Sequence, residues 1–262
     1  MLLRAVAGCG AAIIVASIAC RAHSLSNSGG VAAAIVGTIA VSTGWSWGVA
    51  LILYFVSSIL LTRIGRDVKD QRTSSVLGNQ GPRDAAQVLA NGGLFALGAL
   101  IASSLPSFAV VATAGAFGAL AASAADSWAT EVGMLAGGIP RSLHSFRPVA
   151  PGTSGGVSAA GTLAMTLGAL FVALIAHEFG LVASFTAVFV GGIAGAVTDS
   201  LLGGTIQEKR WCDRCEHATE RRVHDCGHLT TRTGGVALMD NDAVNFVSTL
   251  IGAAVAATMI LS

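Results

Sequence analysis

Residues 107–125 read SFAVVATAGAFGALAASAA, a run without a single charged side chain. A helix that crosses the hydrocarbon of a bilayer needs ~20 predominantly apolar residues, and this run meets that length. Its glycines would weaken a helix in water. In lipid, small residues let helices approach closely, and packing replaces the absent hydrophobic drive.

The same reading extends outward in both directions. Runs of similar character occupy 3–20, 30–44, 47–61, 85–103, 157–176, 182–203 and 243–262, so eight spans are expected. The second and third are short and can also be read as one broken unit. Arg4 before the first run resembles the start of a signal peptide, but the residues around Cys20 make a poor cleavage site, and the run is counted as a span. Of the 262 residues, 53% are hydrophobic and 11% charged, and the mean hydropathy is +0.71. Soluble domains carry about 25% charged residues, so this chain cannot cover a water-facing surface. The reading is an all-α polytopic membrane bundle of seven to eight spans, a single domain over 1–262, with a small Cys/His loop at 207–240.

Charge then orients the bundle. Every Lys and Arg except Arg4 lies in 21–29, 62–84, 126–156 or 204–242, and Glu178 is the only acid on the opposite side. Positive charge is retained inside, which predicts cytoplasmic long loops and both termini outside. The outer connections are too short to bind anything large, so the chemistry is expected at the inner face.

Charged groups inside apolar sequence are functional candidates by default. Asp84, Gln87 and Asn91 are spaced to form one polar stripe that enters the membrane after Arg83, although an N-cap alone would explain Asp84. Asp126 and Thr130 share a face, whereas Glu131 points elsewhere on a regular helix. Either that helix breaks or the two acids have different roles. Asp199 with Ser200, followed by Gln207, closes the seventh span, and Asn241, Asp242 and Asn245 open the last. The hairpins ending in Asp126-Ser127 and Asp199-Ser200 suggest a parallel internal repeat. Gly152-Thr153-Ser154-Gly155-Gly156 is a glycine-rich turn before a helix, which is a simple turn or a phosphate cradle. Its company of acids, with Arg63, Arg83 and Arg147 on the same side, favours the cradle. Carboxylates, carboxamides, arginines and a cradle at a membrane surface suit Mg²⁺-assisted phosphoryl transfer to a lipid-tailed acceptor. Walker and protein-kinase signatures are absent from the sequence.

The loop also holds Cys212, Cys215, His224 and Cys226, with His228 as a substitute ligand. Four such N and S donors suit a closed, structural Zn²⁺ site, with a redox pair or free thiols as the bland alternative. Arg221 and Arg222 are too few for nucleic-acid binding.

Several of these stretches carry a family resemblance. They are Arg83-Asp84-Ala85 with Gln87 to Gly93, Ala125 to Gly133, Pro151 to Ser158, Asp199 to Gly203, and Asn241 to Phe246. In this order they resemble the integral-membrane family, once of unknown function, that includes plant phytyl-phosphate kinase and the animal transmembrane protein 19-like proteins. Ser127 stands where the family often has Thr, and Ser154 where it commonly has Asn. The Cys-rich loop is similar to one in some prokaryotic members. The resemblance implies a prenyl-phosphate kinase that converts an isoprenoid monophosphate to the diphosphate, with a nucleoside triphosphate donor and CTP favoured. The roles assigned on that basis give Asp84, Asp126 and Asp199 to Mg²⁺ or to positioning the attacking phosphate, with Glu131 and Asp242 in support. Phosphates go to Arg63, Arg83, Gln87, Asn91, Thr130, the Gly152–Gly156 loop, Asn241 and Asn245. Expected partners are the lipid-tailed phosphate, the nucleotide and membrane lipids, not nucleic acid, with homo-oligomerisation open. The expected location is a prokaryotic plasma membrane with the site facing the cytoplasm. An ion-coupled transporter, or a lipid-binding protein without turnover, is the competing reading.

Overall fold

A computed structural model describes residues 2–73, 81–220, 222–224 and 226–262. Its long helices are α1 (Leu2–Arg21), α2 (Asn27–Thr43), α3 (Trp45–Arg63), α5 (Ala85–Ser104), α6 (Ala109–Ala136), α7 (Ala159–Glu178), α8 (Phe185–Thr205) and α9 (Asn241–Leu261), with the short α4 (Arg66–Thr73) after α3. Among the described residues, seven helices are long and apolar enough to cross a membrane, and α2 is a shorter apolar helix of 17 residues. The second and third runs are therefore two helices rather than one broken unit. Gly44 closes α2 by donating to the Ala40 carbonyl and opens α3 with extended backbone.

Side-chain caps set where helices begin. Ser26, Asp84, Ser158, Ser184 and Asp240 each accept a hydrogen bond from a backbone N–H in the first turn, satisfying donors that have no partner inside a helix. The helix expected to end at Ala125 continues to Ala136 without a break, 28 residues in all. At 1.5 Å per residue that is about 42 Å, longer than the ~30 Å hydrocarbon core. Its last turns therefore extend beyond the apolar slab, where they meet α4.

Helix α6 is the axis of the bundle, packed by α3, α5, α7, α8 and α9 and buried continuously from Thr113 to Ala125. Small residues make this possible. A Cβ added at Gly118 would stand 2.5 Å from the Gly252 carbonyl oxygen and 2.5 Å from the Ala256 side chain. Trp47, Phe95 and Phe117 close one end of the core, with ring centroids 5.0–5.3 Å apart. Large apolar side chains such as Leu3, Ile14, Val31 and Leu163 point outward, the reverse of a soluble protein and the arrangement lipid requires.

The polar connections have structure of their own. β1 (Arg141–Ser142) pairs antiparallel with β2 (Gly156–Val157) ahead of α7. Between α8 and α9, β3 (Lys209–Cys212) pairs antiparallel with β4 (His217–Thr219) on one side and β5 (Thr231–Gly234) on the other.

Candidate active site at the polar end of the bundle

One cavity of about 960 Å³ runs between α1, α2, α3, α5, α6 and the start of α9. One stretch of its wall is apolar, with Val15, Ala16, Val36, Leu51, Phe55 and Ile59. The other end is polar, with Arg63, Arg83, Asp84, Gln87, Asn91, Asp126, Thr130, Glu131, Asn241, Asp242 and Asn245. Residues from four separate stretches of sequence thus meet at one place. Asp199 stands behind this wall, its carboxyl in hydrogen-bonding reach of Asp126. The two Asp-Ser hairpin ends face each other there.

The roles of the individual acids differ. The Asp84 carboxylate caps α5 by accepting from Gln87 N at 3.1 Å. It groups with Asp240 and Asp242 rather than with Asp126 and Asp199. Asp240 is itself the cap of α9, and Asp242 Oδ1 is buried without a hydrogen-bond partner. The three acids assigned to Mg²⁺ or to the attacking phosphate therefore fall in two groups. Glu131 is spent on the fold. Its Oε1 accepts from Thr62 Oγ1 at 2.6 Å, and its Oε2 from Lys69 Nζ at 2.6 Å. Because α6 does not break, Asp126 and Glu131 leave it in different directions, one toward α8 and the other toward α3 and α4. Asn91 accepts from Ser123 Oγ at 2.7 Å, which in turn shares a 2.6 Å hydrogen bond with Tyr54. This chain joins α5, α6 and α3 and holds the Asn91 amide at the cavity wall.

The arginines are anchored at helix ends. Arg63 donates to the Ala22 carbonyl and to Ser24 Oγ. Arg83 donates to Thr62 Oγ1 at 3.4 Å, and its backbone bridges to Leu25. Arg222 also lines the cavity. Arg221 lies outside the described residues.

The glycine loop does not reach the cavity. Gly155 has φ +76°, and a Cβ there would stand 2.3 Å from Gly204 N and 2.6 Å from the Ser200 carbonyl oxygen. Gly152 likewise has positive φ, and Thr153 makes the backbone turn to Gly156. Close approach to the end of α8 accounts for Gly155, and none of Gly152–Gly156 lines the cavity. Ser154 does reach the site indirectly. Its hydroxyl donates to Glu220, and Gln207 Nε2 donates to Ser154 Oγ and to Glu220 Oε2, both at 3.0 Å. Glu220, a cavity residue that the sequence did not single out, is raised above the usual carboxylate range by burial, against which Ser154, Lys209 and Gln207 act.

In the β3–β5 hairpin the donor atoms of Cys212, Cys215, His224 and Cys226 all lie within 4.8 Å of one another. Cys212 Sγ and Cys226 Sγ are 3.7 Å apart, and His224 Nδ1 is 3.3 Å from Cys226 Sγ. Tetrahedral Zn–S bonds of about 2.3 Å would place sulfurs about 3.8 Å apart, so the donor set fits. Cys226 is lowered to about 6, first by its hydrogen bond to His224, while Cys215 is pushed up to about 11, first by its hydrogen bond to Cys226. His228 supplies backbone hydrogen bonds instead of a ring nitrogen.

Comparison with known proteins agrees with this architecture. The family model described as integral membrane protein DUF92 matches residues 10–253. Protein PGR of Arabidopsis thaliana is 33% identical over 269 residues, covering 92% of each chain. An uncharacterized membrane protein of Methanocaldococcus jannaschii is 26% identical over 234 residues, covering 88% of this chain and 84% of its own. One from Synechocystis is 26% identical over 218 residues, covering 81% and 73%. No solved structure matches. With most of its length matched by the family model and by these relatives, the chain belongs to the DUF92 family of integral membrane proteins.

Proposed function

We propose that this protein is a membrane-embedded prenyl-phosphate kinase. It transfers a phosphoryl group from a nucleoside triphosphate, CTP by preference, to an isoprenoid monophosphate. The observation that carries the reading is the two-part cavity: an apolar wall from α1–α3 that suits an isoprenoid tail, continuous with a polar end that suits phosphates. A site for a free polar metabolite has no need of the first part.

In the reaction an oxygen of the acceptor monophosphate attacks the terminal phosphorus of the donor. The bond to the bridging oxygen breaks, and the nucleoside diphosphate leaves. The attacking oxygen is already ionised at neutral pH, so positioning and charge neutralisation dominate over base catalysis. Arg63, Arg83 and Arg222 neutralise phosphate charge from one side, and Gln87, Asn91, Asn241 and Asn245 offer amides. Asp126 and Asp199 would hold Mg²⁺, which when bound offsets charge on the transferred group. Asp84 and Asp242 offer a second acidic group in the same cavity. Cys212, Cys215, His224 and Cys226 would hold Zn²⁺ as a structural ion. In this reading the site faces the cytoplasm across a prokaryotic plasma membrane, as the charge bias of the loops supports.

The test uses detergent-purified protein, Mg²⁺, labelled CTP or ATP, and a panel of prenyl monophosphates, with products separated by chromatography. Formation of the diphosphate by the parent, lost in Asp126→Asn, is the expected result. A folded protein that turns over no donor–acceptor pair would instead favour transport or lipid binding.

A further inference from the structure

The hairpin between α8 and α9 is more than a cap on the bundle, because it carries one carboxylate into the site. Glu220 follows β4 directly and lies between Cys215 and His224, so the thiol cluster fixes the chain on both sides of it. Its carboxylate is gripped by Ser154 from the glycine loop and by Gln207, which is 2% exposed. It lines the same cavity as Asp126, and its charge acts on Asp199.

Three acids therefore converge from α6, α8 and the hairpin. Among the described residues, no Lys, Arg or His forms an ion pair with any of them; the ion pairs are Arg66–Asp70, Lys69–Glu131 and Arg210–Glu208. Lys209 acts on Glu220 only at longer range. Asp199 Oδ2, moreover, is buried with no hydrogen-bond partner. A buried, unpartnered carboxylate oxygen beside two further carboxylates is strongly unfavourable unless a cation or a proton offsets the charge. Oxygen-only donors of this kind select hard divalent cations.

We infer that Asp126, Asp199 and Glu220 form a divalent-cation site of the Mg²⁺ and Mn²⁺ class, and that the cysteine hairpin completes it by delivering Glu220. Ser154 and Gln207 are positioning residues that orient the Glu220 carboxylate. Asp84 lies outside this site. The inference deepens the phosphotransfer reading and draws its catalytic meaning from it, while the cation site itself is measurable without turnover.

The experiment titrates Mn²⁺ into full-length, zinc-loaded protein in detergent and follows free Mn²⁺ by electron paramagnetic resonance. Helicity and zinc content are recorded for each variant, so that misfolded protein is recognised and set aside. The parent is expected to bind Mn²⁺, and Glu220→Gln and Asp126→Asn each to weaken binding by about tenfold or more. Asp84→Asn should lose clearly less, and Asp67→Asn on exposed α4 nothing. Parent protein that binds no Mn²⁺, Glu220→Gln that binds as the parent does, or Asp84→Asn that loses as much as Glu220→Gln would each overturn the assignment. Kinase turnover alongside unaltered Mn²⁺ binding by Glu220→Gln removes the hairpin from the site and leaves the kinase reading intact. The expected Mn²⁺ pattern without turnover removes the kinase reading and leaves the cation site standing.

Discussion

Lys69 donates to the Leu61 and Thr62 carbonyls at the end of α3, and its third hydrogen bond goes to Glu131 on α6. The two side chains are 5% and 13% exposed, so this ion pair is a buried one. Removing one partner of such a pair strands the other charge and costs about 3–5 kcal/mol, whereas removing both costs far less. Lys69→Met is accordingly expected to lower thermal stability in detergent sharply, and Lys69→Met with Glu131→Gln to recover most of the loss. Equal losses in the single and double variants would show that the pair does not couple α4 to α6. Local sequence gave little warning of this contact. Lys69 looked like one more positive charge on a cytoplasmic loop, and its partner lies 62 residues away. Glu131 looked catalytic for the same reason: a lone acid beside an apolar run carries no local sign of what neutralises it.

At the scale of elements, helix ends and helix faces were the most legible features, and connections the least. Apolar length located the spans and placed their starts within a few residues, and the Asp84 cap was legible as one. The end of α6 was misplaced because Asp126, Ser127, Thr130 and Glu131 read as the start of a water-facing loop. In the fold Glu131 is bonded to α3 and α4 and Asp126 stands beside Asp199 of α8, partners that no period in the local sequence reports. The position of the glycine loop away from the cavity is equally invisible in local sequence. A glycine that permits close backbone approach to α8 and one that cradles phosphate look alike until the partner is known.

Two predictions belong at this scale. Gly118 lies against Gly252, so Gly118→Val should cost at least about 1–3 kcal/mol through overpacking. Gly10, with nothing within 4 Å of an added Cβ, should accept alanine and gain about 0.5–1 kcal/mol. Thermal melts in one detergent compare the two, and equal effects would contradict the close packing of α6 on α9. The hairpin offers the second. Zinc should co-purify in equimolar amount and be lost in Cys212→Ser, with helicity retained and proteolysis between 207 and 240 enhanced. A zinc-free parent whose hairpin resists protease would remove the metal from this account.

For the whole molecule, a narrow hydrophobic axis of alanines and glycines lets the apolar helices pack closely, and among the described residues α1, α2, α3, α5, α6 and the start of α9 enclose one lopsided cavity. The lipid-like half comes from α1–α3, and the charged half from the end of α3, α4, α5, α6, α9 and the hairpin. Membrane class was legible from composition alone. That the polar motifs converge followed from their placement on one side, and their division into two acidic clusters did not, because spacing along the chain says nothing of which helix ends meet. Glu220 was hidden by its setting in a cysteine-rich loop that drew attention to sulfur.

The central claim is that tail and phosphate occupy the two halves of this one cavity. Its most direct test is kcat/KM for a series of isoprenoid monophosphates of increasing length, measured in the parent and in Ala33→Trp, which narrows the apolar half. Efficiency should rise with tail length in the parent, and in the variant it should fall for long tails while short acceptors are spared. A parent indifferent to tail length, or a variant that slows every acceptor equally, would contradict it.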